Sequence, residues 1–513
     1  MNLVLLGASL PAEIPDAVPQ PWVLLTLIWI ALPLLSGFSV ALLPQLGRYL
    51  ALFIALVSLS YGVGQALQPL PQTLQLLDNF GVALQIDTLS VQFIGLNGLV
   101  LAAVVVYSWA TIKDAFFYAQ MIILHGSINA VFICADFISL YVALEVIGIA
   151  VFLLIAYPRS NRAIWVALRY LFVSNTAMLF YLVGAILVYQ AQGSFGFAGL
   201  RGAPVEATAL IFLGLFTKAG VFISGLWLPL TYAEAEAPVS AMLSGVVGKA
   251  GVFPLVRCAL MVDDVGSVLL WFSLGTALLG VTYAILEQDA RRLLAASSIS
   301  QVGFVLVAPA AAGVYAVSHG LAKAALFLAA GHLPSRDFSR LRSQPLSPQL
   351  WSALAVGSLS LTGFPLLSGF GAKAMTFDQL SGWPGTVMTV SAVGTAIAFA
   401  KFLFLPVQWR QPAGELALPP TPLKPGFWGA MAILLGGLVV ANGLSLDFYT
   451  QENITKALLT ATGGWLAYGL VFRHLHIVVP KVAEEFEHLI GVMGLVLVGL
   501  LLLVMQQNIG PVL

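Results

Sequence analysis

The sequence predicts an all-α integral membrane protein of about 14–16 transmembrane helices, and three observations carry that prediction. The 513 residues are 60% hydrophobic and only 9% charged, with a mean hydropathy of +0.97. A soluble domain carries roughly 25% charged residues. Apolar runs of about 20 residues recur from end to end with short polar gaps, the length that crosses a bilayer as a helix. The basic residues that lie in the gaps fall almost entirely in alternate ones. The runs are long and continuous, whereas barrel strands alternate apolar and polar residues over about ten positions.

About sixteen spans are expected. They lie near 22–46, 49–67, 88–110, 115–134, 137–157, 163–189, 207–230, 239–261, 266–287, 293–310, 313–333, 350–380, 384–407, 427–445, 454–479 and 487–506. Residues before Pro21 carry Glu13 and Asp16 but no Lys or Arg, so the start reads as mature protein rather than as a cleaved signal peptide. The loops after odd-numbered spans hold Arg48, Lys113, Arg159, Arg162, Arg291, Arg292, Arg336, Arg340, Arg342, Arg410, Lys424, Arg473 and Lys481. The loops after even-numbered spans hold only Arg201 and Lys456, and acids such as Asp78, Asp87, Asp136 and Glu206. By the positive-inside rule the odd loops are cytoplasmic and the N-terminus lies outside. One odd loop breaks the pattern: Thr231–Pro238 carries Glu234 and Glu236. It reads as a solvated connector or an ion entrance.

The formal net charge is zero, so no basic surface points to nucleic acid. Cys134 and Cys258 sit inside apolar runs without a Cys-x-x-Cys or Cys/His spacing. Neither a metal nor a cofactor site is expected.

The informative residues are the charges left inside the spans. Glu145, Lys218 and Lys249 fall near mid-span, and His319 lies one helical turn before Lys323. Lys373 and Lys401 lie in spans twelve and thirteen. A Lys or Asp at a helix centre costs roughly 2.5–3.5 kcal/mol on insertion scales, so several together imply a hydrated interior path and a function that needs them. Lys and His suit proton carriage because an approaching carboxylate stabilises the protonated form and an apolar wall does not. Arg257, near Asp263 and Asp264, reads as a snorkelling surface pair, and Arg169 as snorkelling or as a partner of Glu145.

Two spans carry breaks. Span seven runs through Thr217-Lys218-Ala219-Gly220 to Pro229, and span twelve reads Gly363-Phe364-Pro365 to Lys373. Such breaks are tolerated only beside protein or a water-filled cavity. The breaks recur five spans apart, and the pairs Lys218/Lys373 and Lys249/Lys401 are each about 150 residues apart, as a nested repeat requires. An odd-numbered unit repeated in tandem is inverted in the membrane. The expected organisation is therefore 1–111 N-terminal helices, 112–262 a first five-helix repeat (spans 4–8), 263–410 a second, inverted repeat (spans 9–13), and 411–513 C-terminal helices.

Several stretches resemble one known family. LYVALEVIGIAVFLLIAY (140–157) is similar to its glutamate-bearing fifth helix, and FLGLFTKAGVFISGLWLPLTYAEAEAPVSAMLSGVVGKAG (212–251) to its seventh and eighth helices. DARRLLAASSISQVGF (289–304), HGLAKAALFLAAG (319–331) and GFPLLSGFGAK (363–373) resemble its helices ten, eleven and twelve. The family is that of the antiporter-like membrane proteins, which includes the A-type and D-type components of Mrp cation/proton antiporters and the L-, M- and N-type components of complex I. The C-terminal stretch GWLAYGLVFRHLHIVVPKVAEEFEHLIGVMGLVLVGLLLLVM looks like the D-type Mrp component. The resemblance implies a polar axis along the midplane: Glu145 tunes Lys218, Lys249 connects the halves, His319 and Lys323 relay, and Lys373 ends the path. It also implies other membrane subunits as partners, protons and monovalent cations (Na+ or K+) as cargo, and a prokaryotic cell membrane as the site. A single chain of this kind is no enzyme. The alternative is a proton-pumping component of a complex I-like quinone oxidoreductase, whose redox groups sit on partners. A degenerate scaffold is disfavoured, since it would gain stability by losing these charges. One departure is that Tyr232 stands where the family often has His, leaving Glu234 and Glu236 as the entrance groups.

Overall fold

The computed structural model describes residues 20–67, 72–77, 81–111, 113–409, 423–475, 477 and 482–508. The expectations for residues before 20, for Arg410 and for Lys481 lie outside these. Among the described residues twenty α-helices follow one another: α1 Gln20–Leu42, α2 Gly47–Leu67, α3 Thr88–Ser108, α4 Ala115–Ile133, α5 Phe137–Ala156, α6 Asn161–Gln192, α7 Val205–Ala219, α8 Leu228–Glu234, α9 Ala237–Met242 and α10 Gly248–Met261. Then come α11 Asp263–Leu286, α12 Ala290–Leu306, α13 Ala312–Ala330, α14 Phe338–Leu341, α15 Pro348–Thr362, α16 Ser368–Asp378, α17 Gly382–Leu403, α18 Pro425–Asn442, α19 Gln451–Ala467 and α20 Phe486–Asn508.

Each of the sixteen expected spans falls on one helix or on two helices joined at a break. Twelve helices are by themselves long and apolar enough to cross a membrane, and α7 with the segment Phe222–Glu234, bent by 41°, makes a thirteenth. The other three are α12, which is 17 residues long, the interrupted α15/α16, and α19, which continues into a π turn at Tyr468–Phe472.

Short polar residues set the helix starts. Asp87, Asp114, Asp136, Ser160 and Ser347 each accept from the backbone N–H three residues on, at 2.9, 3.0, 2.7, 3.1 and 3.3 Å. Each satisfies one of the donors that a helix start leaves free. The composition concealed one element. β1 (Gln72–Leu77) and β2 (Gly81–Ile86) pair antiparallel as a hairpin between spans two and three. Buried Asp136 accepts from Ala83 N at 2.8 Å as well as capping α5, which fixes the hairpin on the bundle. Gly81 (φ +114°) is required there, because a Cβ would lie 2.7 Å from Ile138 Cγ2.

The two breaks share a stereochemistry. α7 ends at Gly220 (φ 77°) and α15 at Gly363 (φ 81°), both left-handed caps. A bulky residue with positive φ follows each, Phe222 (φ 52°) and Leu366 (φ 78°). Such strain costs about 1–3 kcal/mol per residue and persists only where the surroundings over-determine it. The freed carbonyls find side chains: Trp227 Nε1 donates to Thr217 O at 2.8 Å, and Lys373 Nζ to Thr362 O at 3.2 Å. Aligning the caps shows that the lysines flank them from opposite sides. Lys218 precedes its Gly by two residues and Lys373 follows its Gly by ten.

The basic loops gather on one face. Lys113 pairs with Glu236 at 2.5 Å, while Arg162 and Arg336 lie 3.6 and 3.9 Å from Glu234. Arg291 Nη1 donates to Ala235 O at 3.2 Å. Four loops that follow odd-numbered spans thus meet on the acidic one.

Candidate proton-relay site

Of the expected residues, Lys218, Lys249, Lys323 and Lys373 are buried, each amine resting on oxygen acceptors rather than on a carboxylate. Lys218, on the last turn of α7, points its Nζ at Leu144 O on α5, 3.1 Å away. Gly148, one turn along α5, makes the space; a Cβ there would stand 3.2 Å from Nζ. Beside the amine is a cavity of about 10 Å³ for the centre of a water-sized sphere, lined by Tyr170, Ser174, Thr217, Lys218 and Trp227 among others. That is room for about one water. Glu145 follows Leu144 on α5, and its Oε1 is buried without a hydrogen-bond partner among the described residues. Nor does it form an ion pair within 4 Å among them, so the pair Glu145/Lys218 is poised but not closed.

The connection between the halves is built from serines. α9 passes into a π turn at Leu243–Val247 before α10 begins. π turns inside helices are often functional because they redirect backbone groups. Here Lys249 Nζ donates to Ser244 O, five residues back. Ser244 Oγ lies 2.8 Å from Ser298 Oγ on α12, and Ser298 Oγ donates to Leu294 O at 3.0 Å. The same carbonyl accepts from Lys323 Nζ on α13 at 2.7 Å, and Lys323 also donates to Ser297 Oγ. Lys249 and Lys323 thus lie at the two ends of one cluster: each amine meets it at a backbone carbonyl, Ser244 O and Leu294 O, and within it Ser244 and Ser298 meet hydroxyl to hydroxyl. Hydroxyls both donate and accept, which a relay needs.

His319 and Lys323 share a helix face as expected but serve different neighbours. His319 is buried, and among the described residues neither ring nitrogen has a hydrogen-bond partner. It lines a second cavity, also of about 10 Å³, together with Gln301, Tyr315, Ser318 and Lys373. Tyr315 OH donates to Gln301 Oε1 at 2.7 Å, and Ser368 Oγ bonds Ser318 Oγ at 3.0 Å across to α16. The cavity leaves His319 and Lys373 facing one water-sized space.

Other candidates have structural work to do. Lys401 Nζ donates to Ile285 O and Glu287 O, both at 2.6 Å, so it caps the end of α11. Glu234 and Glu236, the expected entrance, are held in the ion pairs described above. Tyr232, where His was expected, is buried and donates to Leu243 O at 3.0 Å, holding the π turn. Arg257 turns away from a surface role: it binds both oxygens of Asp87 at 2.9 Å and Ser90 Oγ at 3.0 Å. Arg169 meets Glu484 rather than Glu145, donating to its backbone oxygen. Sequence reasoning missed Ser244, Ser297, Ser298, Gln301 and Tyr315. The signal was present in the SSISQ stretch, which is polar on successive helix turns inside an apolar run. Among the described residues no three His, Cys, Asp or Glu side chains gather as a metal site would require.

Comparison with known proteins places the chain in a family. The family described as NADH:quinone oxidoreductase/Mrp antiporter, transmembrane, matches residues 134–398. The chain is 30% identical over 363 residues to the N-type component of the NADH-quinone oxidoreductase of Desulforudis audaxviator, covering 63% of this chain and 72% of that one. It is 27% identical over 450 residues to the D-type component of the Na(+)/H(+) antiporter of Alkalihalophilus pseudofirmus, covering 78% and 88%. The fold is shared with a chain of the membrane-bound sulfane sulfur reductase, an archaeal respiratory membrane complex, at a TM-score of 0.72 and 20% identity, over 86% of this chain and 99% of that one. With both broken helices, the buried Lys218, Lys249, Lys323 and Lys373 and the serines beside them lying inside the matched region, the chain belongs to the NADH:quinone oxidoreductase/Mrp antiporter family of membrane proteins.

Proposed function

We propose that this chain is the proton-translocating, D-type member of a multisubunit monovalent cation (Na+ or K+)/proton antiporter. The observation that carries the proposal is the row Lys218, Lys249, Lys323, Lys373, buried in both halves of the bundle and joined at its centre by the Ser244–Ser298 hydroxyl pair. Keeping four amines from water in an apolar bundle is costly, and a role in carrying protons accounts for their being there. Lys218 is the switch, loaded and emptied as Glu145 approaches and withdraws. Lys249 and Lys323 pass the proton between halves, and His319 and Lys373 complete the path through the second cavity. The segments 1–111, 112–262, 263–410 and 411–513 serve as N-terminal helices, two inverted repeats and C-terminal helices. The basic face is cytoplasmic, in a prokaryotic cell membrane, with the N-terminus outside. The chain itself oxidises nothing and acts with other membrane subunits.

The antiporter reading is preferred because the match to the D-type antiporter component extends over 450 residues and 88% of that relative. The higher identity to the N-type component supports a second reading, a pumping member of a quinone oxidoreductase. Purification in mild detergent followed by mass spectrometry separates them. Small hydrophobic partners with sodium- or potassium-driven proton exchange in everted vesicles support the antiporter. Co-purifying flavin and iron–sulfur subunits, without such exchange, overturn it.

A further inference from the structure

The C-terminal helix α20 lies outside both repeats and packs along α7 and α6, its start pinned by Phe486 against Phe172 (ring centroids 6.2 Å apart). The turn before it, Val482–Glu484, inserts Glu484 into the basic face, where the side chain is only 6% exposed. Arg292 of α12 donates to Glu484 Oε1 at 2.5 Å and to Glu287 Oε2 at 2.9 Å. Arg169 of α6 donates to the Glu484 backbone oxygen, while its Nε and Nη1 find no partner among the described residues. Glu287 O in turn accepts from Lys401 of α17. Glu484 therefore bridges α6, through its backbone oxygen, and α12, through its carboxylate, and Glu287 carries the chain on to α17 through its own backbone oxygen.

We propose that Glu484 is a positioning residue for proton transfer, a latch that sets α12 against α6 and so keeps Ser297 and Ser298 in register with Lys323 and Ser244. The inference rests on the relay proposed above. The geometry argues for it in two ways. Arg292 sits five and six residues before Ser297 and Ser298 on one rigid helix, so a shift at Arg292 is carried to both hydroxyls. Without the Glu484 carboxylate, buried Arg292 keeps Glu287 alone, and Arg169 keeps only its bond to a backbone oxygen. Charge-assisted bonds of this kind are the strong ones, and a buried cation that loses its partner drives rearrangement.

The test uses the full complex with Glu484→Gln, Glu484→Asp and the double variant Glu484→Gln/Arg292→Gln. Two readouts are taken: maximal exchange rate per assembled complex and hydrogen–deuterium exchange over residues 290–306. Glu484→Gln is expected to lower the maximal rate about tenfold, the scale of one charge-assisted hydrogen bond, with the half-saturating cation concentration unchanged. Backbone exchange in α12 rises alongside. Glu484→Asp restores most of the rate, and the double variant is no slower than Glu484→Gln. Wild-type rate and wild-type α12 protection in Glu484→Gln overturn the proposal, as does a double variant in which the two losses multiply. Should Glu484→Gln fail to assemble, Arg292→Lys, which keeps the charge but not the fork that meets two carboxylates, decides: α12 protection indistinguishable from that of an Ala substitution at exposed Glu485 overturns the proposal. If the wild-type complex moves no cation against protons, the functional reading fails, and the α12 exchange measurement still judges the latch.

Discussion

Ser244 and Ser298 offer a sharp test of the central connection, because their hydrogen bonds are not equivalent. Ser298 Oγ donates to Leu294 O and accepts from Ser244 Oγ, 2.8 Å away. Ser244→Ala removes one neutral bond and leaves the Ser298 hydroxyl satisfied, a cost of about 0.5–1.5 kcal/mol. Ser298→Ala strands the buried Ser244 hydroxyl, a cost of about 1–3 kcal/mol. At 1.36 kcal/mol per factor of ten, and with the whole cost felt in the Lys249–Lys323 transfer, exchange slows roughly 2- to 13-fold for Ser244→Ala and roughly 5- to 150-fold for Ser298→Ala. The double variant is expected to be faster than Ser298→Ala alone, since Ser244→Ala removes the hydroxyl that Ser298→Ala strands. Initial rates of cation-dependent proton movement in everted vesicles, normalised to assembled complex, give all four corners of the cycle. Equal rates in all four, or losses that multiply, would refute the claim that this pair joins the halves.

Three further outcomes follow from the geometry. Lys401→Ala is expected to slow exchange less than Lys218→Ala, and to lower the thermal midpoint of the purified complex, because it uncaps α11; an equal or larger loss of exchange reverses that ranking. Asp87→Ala leaves Arg257 buried without its carboxylate, which costs toward the lower end of about 3–5 kcal/mol because Asp87 is a third exposed. The loss shows in thermal stability, with rate per assembled complex unchanged. Glu287 gives a pH dependence: burial alone would raise its carboxyl, but the Asp289 N–H and Arg292 overcome this and hold it below the ordinary 4.5. A depressed carboxyl contributes stability that is fully present above the unfolded value and is lost as pH falls through the folded one. The basic-face network should thus be unchanged from pH 7 to about 5 and loosen below about 4.5, and Glu287→Gln should remove that acid step.

The helix layout was legible because an apolar run of crossing length has one solution in a bilayer, and the breaks because Gly and Pro mark them. The mid-span charges were legible for the same reason: Lys218, Lys249, Lys323 and Lys373 are too costly to be ornament. Three kinds of information were hidden. The β-hairpin was lost because QTLQLL and GVALQI are too short to stand out in so apolar a chain. Partners distant in sequence were hidden, so Arg257 was matched to nearby acids when Asp87, 170 residues away, binds it. The serines were hidden by their chemistry: a Ser in a helix can simply bond its own i−4 carbonyl, as Ser273 does to Leu269 O at 2.5 Å. Only the fold distinguishes Ser298, which does so while also meeting Ser244. The lysine spacing does not carry over to the caps: Lys218 precedes Gly220 by two residues, whereas Lys373 follows Gly363 by ten.

The most direct test is sodium- or potassium-dependent proton exchange by the reconstituted complex carrying Lys218→Ala, measured with a pH-sensitive dye beside a wild-type control and a count of assembled complex. Exchange abolished with assembly intact is the result the account predicts. Exchange at the wild-type rate would contradict it, and would remove Lys218, and with it the buried lysine row, from the proton path.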